Sequence, residues 1–324
     1  MHVTAVLVAY NRRELLRESL EALAAQSRPV DRLVVVDNAS DDGSADVAAE
    51  LLEQWGTRAR LIPLTENTGG AGGFAAGIAA AVAEDCIDWV WVMDDDTVPG
   101  PDALAGALDA HERYCATGQD DLAVMGSRVV WTDGEDHPMN TPKPKIRASN
   151  DERSRAAEVG CMEIRSISFV SAFLRAARVR EQGLPIADYF LWNDDFEYSA
   201  RLLRGARGLF VPRSVVTHKT AKRGSSDADP GPRFYYEVRN KLWVFRLSKA
   251  LYGWEKLLYI AATARRWVRT LRASSDRAQL GDCLRRGWRD GWLRSPRTTR
   301  EVLRDTGVPV DVMIEVERLS KSAR

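Results

Sequence analysis

A regular alternation of buried-strand and amphipathic-helix patterns over the first 130 residues is the strongest constraint on how this chain folds. Residues 3–9 are apolar enough for a strand covered on both faces, and residues 12–25 then place Leu15, Leu16, Leu20 and Leu23 on one helical stripe. Residues 33–37 read as a second strand. Asp41-Asp42-Gly43-Ser44 supplies turn and cap residues for a helix to about Gln54. A strand at 60–64, a helix at 71–83 and a strand at 89–93 continue the series. Strands separated by helices of this length join as parallel βαβ units, so the expected class is α/β with a doubly wound, mostly parallel sheet. Ligands of such sheets bind beyond the carboxyl ends of the strands. The polar tips fall there: Tyr10-Asn11, Asp37-Asn38, Asn67 through Gly73, and Asp94-Asp95-Asp96.

The aspartate triplet follows the apolar run Trp89-Val90-Trp91-Val92-Met93. Three adjacent carboxylates repel one another unless a cation compensates, and carboxylate oxygens suit hard divalent ions such as Mg²⁺ or Mn²⁺ that bridge a protein to a diphosphate. The segment Asn67-Thr68-Gly69-Gly70-Ala71-Gly72-Gly73-Phe74 follows a strand and opens a helix. Its glycines permit close backbone approach, and a helix N-terminus attracts anions. It does not match the dinucleotide fingerprint, because Ala75 occupies the last glycine position, and a small-residue helix packed tightly on the sheet explains it as well. A second acidic cluster, Trp192-Asn193-Asp194-Asp195-Phe196-Glu197, opens a helix expected over 195–204. Acids there favour the macrodipole, and a carboxylate there can also act as a general base. His218, one of four histidines, ends an apolar stretch and is a metal-ligand candidate.

Elsewhere the pattern is weaker. Residues 132–158 are rich in Pro, Asp, Asn, Lys and Arg without periodicity and read as a mobile loop. Short strands are expected at 209–212 and 214–217, a flexible link at 224–232, and helices over about 235–294. The formal net charge of zero conceals an asymmetry: residues 1–232 carry 25 basic and 36 acidic side chains, and residues 233–300 carry 17 and 5. Two domains follow as the expectation, a catalytic body over 1–232 and a basic helical region over 233–324. The Trp and Leu residues among the cations of the latter suit an interfacial helix on anionic lipid, or a subunit contact in a homo-oligomer. Nucleic acid is not an expected partner, because the body is acidic and carries no recognition motif. The four cysteines form no CxxC pair, no apolar window reaches the roughly 18–20 residues of a membrane span, and the chain enters a strand at once. A cytoplasmic location, peripheral on the inner face of the cell membrane, is expected.

Taken in order, these segments resemble the family 2 glycosyltransferases, whose fold is GT-A. The matching pieces are Val6-Leu7-Val8-Ala9-Tyr10-Asn11-Arg12, Val34-Val35-Val36-Asp37-Asn38, Asn67 through Phe74, Asp94-Asp95-Asp96, Asn193 through Tyr198, and His218. With Tyr235-Tyr236-Glu237-Val238-Arg239-Asn240, they are most similar to the branch holding bacterial galactofuranosyltransferases and rhamnosyltransferases of cell-wall polysaccharide synthesis. The resemblance implies a metal-dependent inverting transferase. Its donor is UDP-galactofuranose or, as the alternative, dTDP-rhamnose, and its acceptor a glycan or a polyprenyl-diphosphate glycolipid. It also implies roles. Ala9, Tyr10, Asn11 and Asp37 hold the nucleotide base, and Asn67, Gly69 and Gly70 lie near the ribose or diphosphate. Asp94 or Asp95 contacts ribose or metal. Asp96 and His218 ligate Mn²⁺ or Mg²⁺. Asp195 is the catalytic base, with Trp192, Asp194 and Glu197 at the acceptor site. Two rivals are a sugar-nucleotide pyrophosphorylase, which calls for a glycine-rich loop after the first strand that Tyr10-Asn11-Arg12 lacks, and a non-catalytic scaffold of glycan assembly.

Overall fold

The computed structural model describes residues 1–118, 121–221 and 229–322. Strands Val3–Ala9 (β1), Arg32–Asp37 (β2), Ala59–Pro63 (β3) and Trp89–Asp94 (β4) alternate with helices Arg13–Ala24 (α1), Ser44–Leu52 (α2) and Gly69–Val82 (α3). The four strands are parallel in the spatial order β3-β2-β1-β4. Alternate residues of β1 face opposite layers. Val6 and Val8 pack under α3, while Val3, Ala5 and Leu7 join Leu16, Leu20 and Leu23 of α1. Helix α3 is almost wholly buried, and its glycines let it lie close to the sheet. A β-carbon on Gly73 would meet Val8 at 2.5 Å and one on Gly77 would meet Val6 at 2.4 Å. The packing explanation for the glycine-rich segment is therefore correct for these two positions. Trp89 and Trp91 of β4 are fully enclosed, and the Trp91 indole donates to Ser171 Oγ at 2.9 Å. Burial of an aromatic side chain of this size contributes roughly 4–6 kcal/mol each before entropy is counted.

The second half of the sheet departs from the parallel expectation. After Thr97–Pro99 (β5) and Ala103–Ala116 (α4), the strands are Leu122–Val130 (β6), Lys143–Pro144 (β7), Met162–Ser166 (β8) and Ala172–Arg175 (β9), and the last is Arg207–His218 (β10). The order continues β4-β9-β6-β10-β8-β7, with only β6 and β10 parallel. The helix-strand alternation stops at β6, and without a crossover helix between successive strands nothing enforces parallel pairing. The segment expected as an open loop over 132–158 is instead built: it holds β7 and a helix Asn150–Glu158 (α5). Ser149 and Glu152 close a capping box at its start, a serine-to-glutamate spacing present in the sequence. The two short strands expected at 209–212 and 214–217 are one strand, β10, whose register breaks between Val211 and Val215 around Pro212. Helix α2 stops at Leu52 and the chain continues as a 3₁₀ turn.

Helices Ala176–Gln182 (α6) and Asp194–Leu202 (α7) precede β10. Of the link expected at 224–232, residues 224–228 lie outside the described residues. Helices Phe234–Arg246 (α8), Gly253–Ala273 (α9) and Arg277–Leu293 (α10) follow, then Thr299–Leu303 (α11) and Val310–Ser322 (α12). Val302, Leu303, Val312, Val316 and Leu319 enter the same core as α3. Helix α8 packs on the loop before α7, where Asn240 reaches three of its carbonyls. Among the described residues no helix is long and apolar enough to cross a membrane.

Candidate active site

Strand register explains why the polar tips meet. Ala9 of β1 pairs with Asp37 of β2, and Val8 pairs with Asp94 of β4, so three adjacent strands end together. After Asp96 the chain turns into β5, which runs antiparallel to β10 with Thr97 opposite His218. That single pairing carries the histidine to the triplet. One ligand atom each from Asp94, Asp96 and His218 lie within 4.8 Å of one another.

These three residues fit a hard divalent cation. Asp96 is 2 % exposed, and its Oδ1 receives no hydrogen bond, facing His218 Nε2 at 3.2 Å. The other ring nitrogen is occupied: His218 Nδ1 donates to Asn140 Oδ1 at 2.9 Å, and Asn140 Nδ2 in turn donates to Ser168 Oγ at 3.0 Å. That chain leaves Nε2 facing a carboxylate oxygen, a pair of ligand atoms that a shared cation can bind. Asn140 was not anticipated from the sequence, because it lies in the segment read as an open loop.

Arg12 is a second unanticipated member. Its guanidinium pairs with Asp95 Oδ1 at 3.2 Å and with Asp96 Oδ2. Asp95 Oδ2 accepts from the Tyr10 backbone N–H at 2.8 Å, which ties the end of β1 to the triplet. The three acids are electrostatically unequal. Burial, followed by the charges of Asp96 and Asp95, pushes Asp94 well above the ordinary carboxylate range. Burial raises Asp95 to about 6 against the opposing pull of Arg12. Burial also acts on Asp96, but His218 and Arg12 outweigh it and hold this carboxyl low. Asp96 is thus the member of the triplet that stays ionised most readily.

On the neighbouring rim, Asp37 is 2 % exposed with Oδ2 accepting from Ser40 N–H at 3.1 Å and Oδ1 without a hydrogen bond. Tyr10 is exposed beside it, and Asn11 and Ala39 hold positive φ of 52° and 63°. Asn67 Oδ1 accepts from Asn38 Nδ2 at 3.1 Å and from Gly69 N–H at 2.8 Å, so it shapes the loop in front of α3. Gly69 has φ 72°, and an added β-carbon would lie 2.0 Å from the carbonyl oxygen of Phe190. The glycine is therefore required for contact between the α3 N-terminus and the loop of the second acidic cluster. Gly70 has no such constraint.

Asp194 and Asp195 open α7 after three residues of positive φ, Phe190, Trp192 and Asn193. Burial and the charge of Asp195 raise Asp194 to about 8, and the charge of Asp194 is felt in turn at Asp94. Asp195 is raised by burial, opposed by the Phe196 N–H and by Lys241 of α8. Trp192 lies under the guanidinium of Arg233 at 5.2 Å. Glu197, expected at the acceptor site, is instead 1 % exposed, ion-paired with Arg201 at 3.0 Å and bonded by Ser248 Oγ at 2.7 Å. It buttresses α7 from behind. A cavity of about 440 Å³ lined by Lys145, Arg147, Arg207 and Trp254 lies at the other end of β10 from His218, and Lys145 and Arg207 there are paired with Glu152.

The profile of glycosyl transferase family 2 matches residues 4–172. The galactofuranosyltransferase GlfT1 of Mycobacterium tuberculosis (strain ATCC 25618 / H37Rv) is 31 % identical over 284 residues, which cover 82 % of this chain and 86 % of that protein. Among solved structures, S. aureus TarS 1-349 in complex with UDP superposes with a TM-score of 0.61 at 14 % identity, covering 100 % of this chain and 90 % of the other. The mannosyltransferase PcManGT from Pyrobaculum calidifontis, in complex with GDP-Man and Mn²⁺, gives 0.53 at 18 % identity, covering 99 % and 86 %. The α/β architecture is that of the GT-A glycosyltransferases, and the chain belongs to glycosyl transferase family 2.

Proposed function

We propose that this glycosyltransferase is metal-dependent and inverting, and that it moves galactofuranose from UDP-galactofuranose onto a hydroxyl of a lipid-linked or polysaccharide acceptor. One observation carries the reading: Asp94, Asp96 and His218 converge within 4.8 Å at the rim where β1, β2 and β4 end. The donor sugar is supported by the galactofuranosyltransferase related over most of the chain.

In this reading the nucleotide base sits against Ala9, Tyr10 and Asn11, with the free Asp37 Oδ1 accepting a base N–H. The ribose and diphosphate lie over Asp94, Asp95 and the Asn67–Gly69–Gly70 loop. Asp94, Asp96 and His218 would hold Mn²⁺ or Mg²⁺, which would supply positive charge to stabilise the leaving diphosphate. Asp195 accepts the proton of the acceptor hydroxyl as that oxygen attacks the anomeric carbon from the opposite face. Burial raises both carboxyls, Asp194 to about 8, but the Phe196 N–H and Lys241 oppose that push at Asp195, which supports Asp195 as the base. Trp192 offers an aromatic face at the acceptor side. Bringing donor and acceptor together in line supplies much of the remaining acceleration.

Helix α9 supports a lipid-linked acceptor. Its exposed face carries Leu257, Leu258, Ile260 and Val268 beside Arg265, Arg269 and Arg272. Its one acid, Glu255, is buried against Arg165 at 2.7 Å. An apolar stripe flanked only by cations fits the headgroup boundary of an anionic membrane. Two measurements test the proposal. Nucleoside diphosphate release is followed with UDP-galactofuranose and with dTDP-rhamnose, each with and without Mn²⁺; turnover of the rhamnose donor alone rejects the donor assignment. Flotation with anionic vesicles is compared for wild type and Leu257→Asp/Leu258→Asp, and equal recovery rejects the membrane face.

A further inference from the structure

Three side chains on one face of α8 converge on the turn that delivers Asp194 and Asp195. Glu237, Asn240 and Lys241 are spaced i, i+3 and i+4, and all are buried. The turn itself is costly. Phe190, Trp192 and Asn193 hold φ of 63°, 66° and 66°, a region that Phe and Trp seldom occupy unless the surroundings enforce it. Asn240 Nδ2 donates to the carbonyl oxygens of Tyr189, Leu191 and Trp192 at 3.0, 2.9 and 2.8 Å. Glu237 Oε2 accepts from Asn193 Nδ2 at 2.8 Å. Its Oε1 accepts from Trp267 Nε1 at 3.2 Å and from Arg266, both on α9. Lys241 Nζ lies 3.9 Å from the ring centre of Phe196, the residue after Asp195.

We infer that Glu237 and Asn240 are positioning residues, a brace that holds the left-handed turn at residues 190–193 and thereby aims Asp195 into the cleft. Neither residue touches the reacting atoms. The brace rests on the reading of Asp195 as the base, and it assigns to α8 and α9 a part in the reaction separate from any lipid contact. Glu237 is not an isolated buried carboxylate: Arg266 and Trp267 hold it, and its second oxygen is left for Asn193. The physical content is conformational. Asparagine tolerates the left-handed region better than most side chains and glycine enters it freely, so the bond to Glu237 serves to hold Asn193 in one arrangement that Gly would reach without it.

The experiment measures kcat, donor KM and backbone hydrogen exchange for four full-length proteins: wild type, Glu237→Ala, Glu237→Gln, and Glu237→Ala/Asn193→Gly. Glu237→Ala is expected to lower kcat by about 10–100-fold, as for a misaimed catalytic group, with donor KM within roughly twofold. Exchange should rise at residues 189–195 and stay unchanged in β1, β2 and β4. Glu237→Gln offers one acceptor oxygen where two are used, so its amide must face a donor on one side, and kcat should fall between wild type and Glu237→Ala. Asn193→Gly should restore kcat in the alanine background, because the turn no longer needs the bond. A loss that glycine does not restore overturns the brace, as does a Glu237→Ala protein equal to wild type in kcat and exchange. A wild type that transfers no galactofuranose to the acceptor, with exchange at 189–195 still raised in Glu237→Ala and normal in the double variant, supports the brace and overturns the proposed donor and acceptor instead.

Discussion

His218 Nε2 stands 3.2 Å from Asp96 Oδ1, while the opposite nitrogen of the same ring donates to Asn140 at 2.9 Å. The ring is thus held in an orientation that keeps Nε2 toward the triplet. Replacing the partner of a metal-bound histidine typically costs about 10–100-fold in metal affinity. Asn140→Ala should raise the Mn²⁺ concentration for half-maximal transfer by that factor, and His218→Ala by at least as much. Chelator should abolish activity and Mn²⁺ restore it. A metal titration unchanged in both variants removes His218 from the ligand set.

Arg12 holds the acidic triplet together in the protein without metal. Its removal leaves Asp95 and Asp96 facing one another with less compensation. Half of the guanidinium is in water, so Arg12→Gln should cost about 1–2 kcal/mol rather than the ~3–5 kcal/mol of a fully buried pair. The loss should shrink when Mn²⁺ is present, since the cation supplies the missing positive charge. Chemical unfolding with and without Mn²⁺ checks this, and an equal loss in both conditions contradicts it.

The parts of the molecule legible in the sequence are those governed by local pattern. The apolar runs ending at Ala9, Asp37 and Met93 announced β1, β2 and β4, because a strand buried on both faces must be continuously apolar. Once those strands are parallel neighbours, their polar tips must share an edge. His218 was recognisable as a residue type at a strand end, but its approach to Asp96 depends on the β5–β10 pairing, a register between distant segments that no local pattern encodes. Asn140 was hidden for the same reason, inside a segment without periodicity whose order comes from tertiary bonds to His218 and Ser168. Arg12 was visible beside Tyr10-Asn11, yet nothing in the sequence distinguished a solvated arginine from one reaching across β1 to the triplet. Glu197 shows the converse failure. Its place in an acidic motif suggested the cleft, but one residue past Phe196 the helix turns it inward to Arg201.

The second acidic cluster sets the pH dependence. Asp195 faces Lys241 and Glu237 of α8 and lies beside Asp194; Arg266 of α9 and Lys143 of β7 complete the charges around Lys241. Burial raises Asp195, so it holds its proton to a higher pH than an ordinary carboxyl, and the rate should fall as pH drops through that raised value. Burial lowers Lys241 to about 8, and its positive charge favours ionised Asp195. Lys241→Met removes that charge and should move the acid limb of the pH–rate profile to higher pH. Asp195→Asn should lower kcat by roughly 10²–10⁴-fold with donor affinity retained. A lost affinity for UDP in Asp195→Asn would instead place this residue among the nucleotide contacts.

Gly69 joins the nucleotide half of the cleft to the acceptor half, and its substitution tests whether that junction is as tight as the geometry requires. The residue has φ 72°, and a β-carbon would stand 2.0 Å from the Phe190 carbonyl oxygen and 2.7 Å from the Phe190 ring. That oxygen also accepts from Ala71 N–H at 3.2 Å, so the turn cannot retreat without breaking a bond to the start of α3. Backbone strain alone costs about 1–3 kcal/mol, and the clash adds to it. Gly69→Ala should therefore destabilise the fold by at least about 2 kcal/mol and reduce transfer more than UDP binding, because the displaced turn carries Asp195. Gly70→Ala serves as the matched control, since its β-carbon meets only the Phe74 ring at 4.0 Å and its φ lies outside the left-handed region. Equal stability and turnover in the two variants would show that the turn tolerates displacement, and with it the tight coupling between the two acidic clusters would fall.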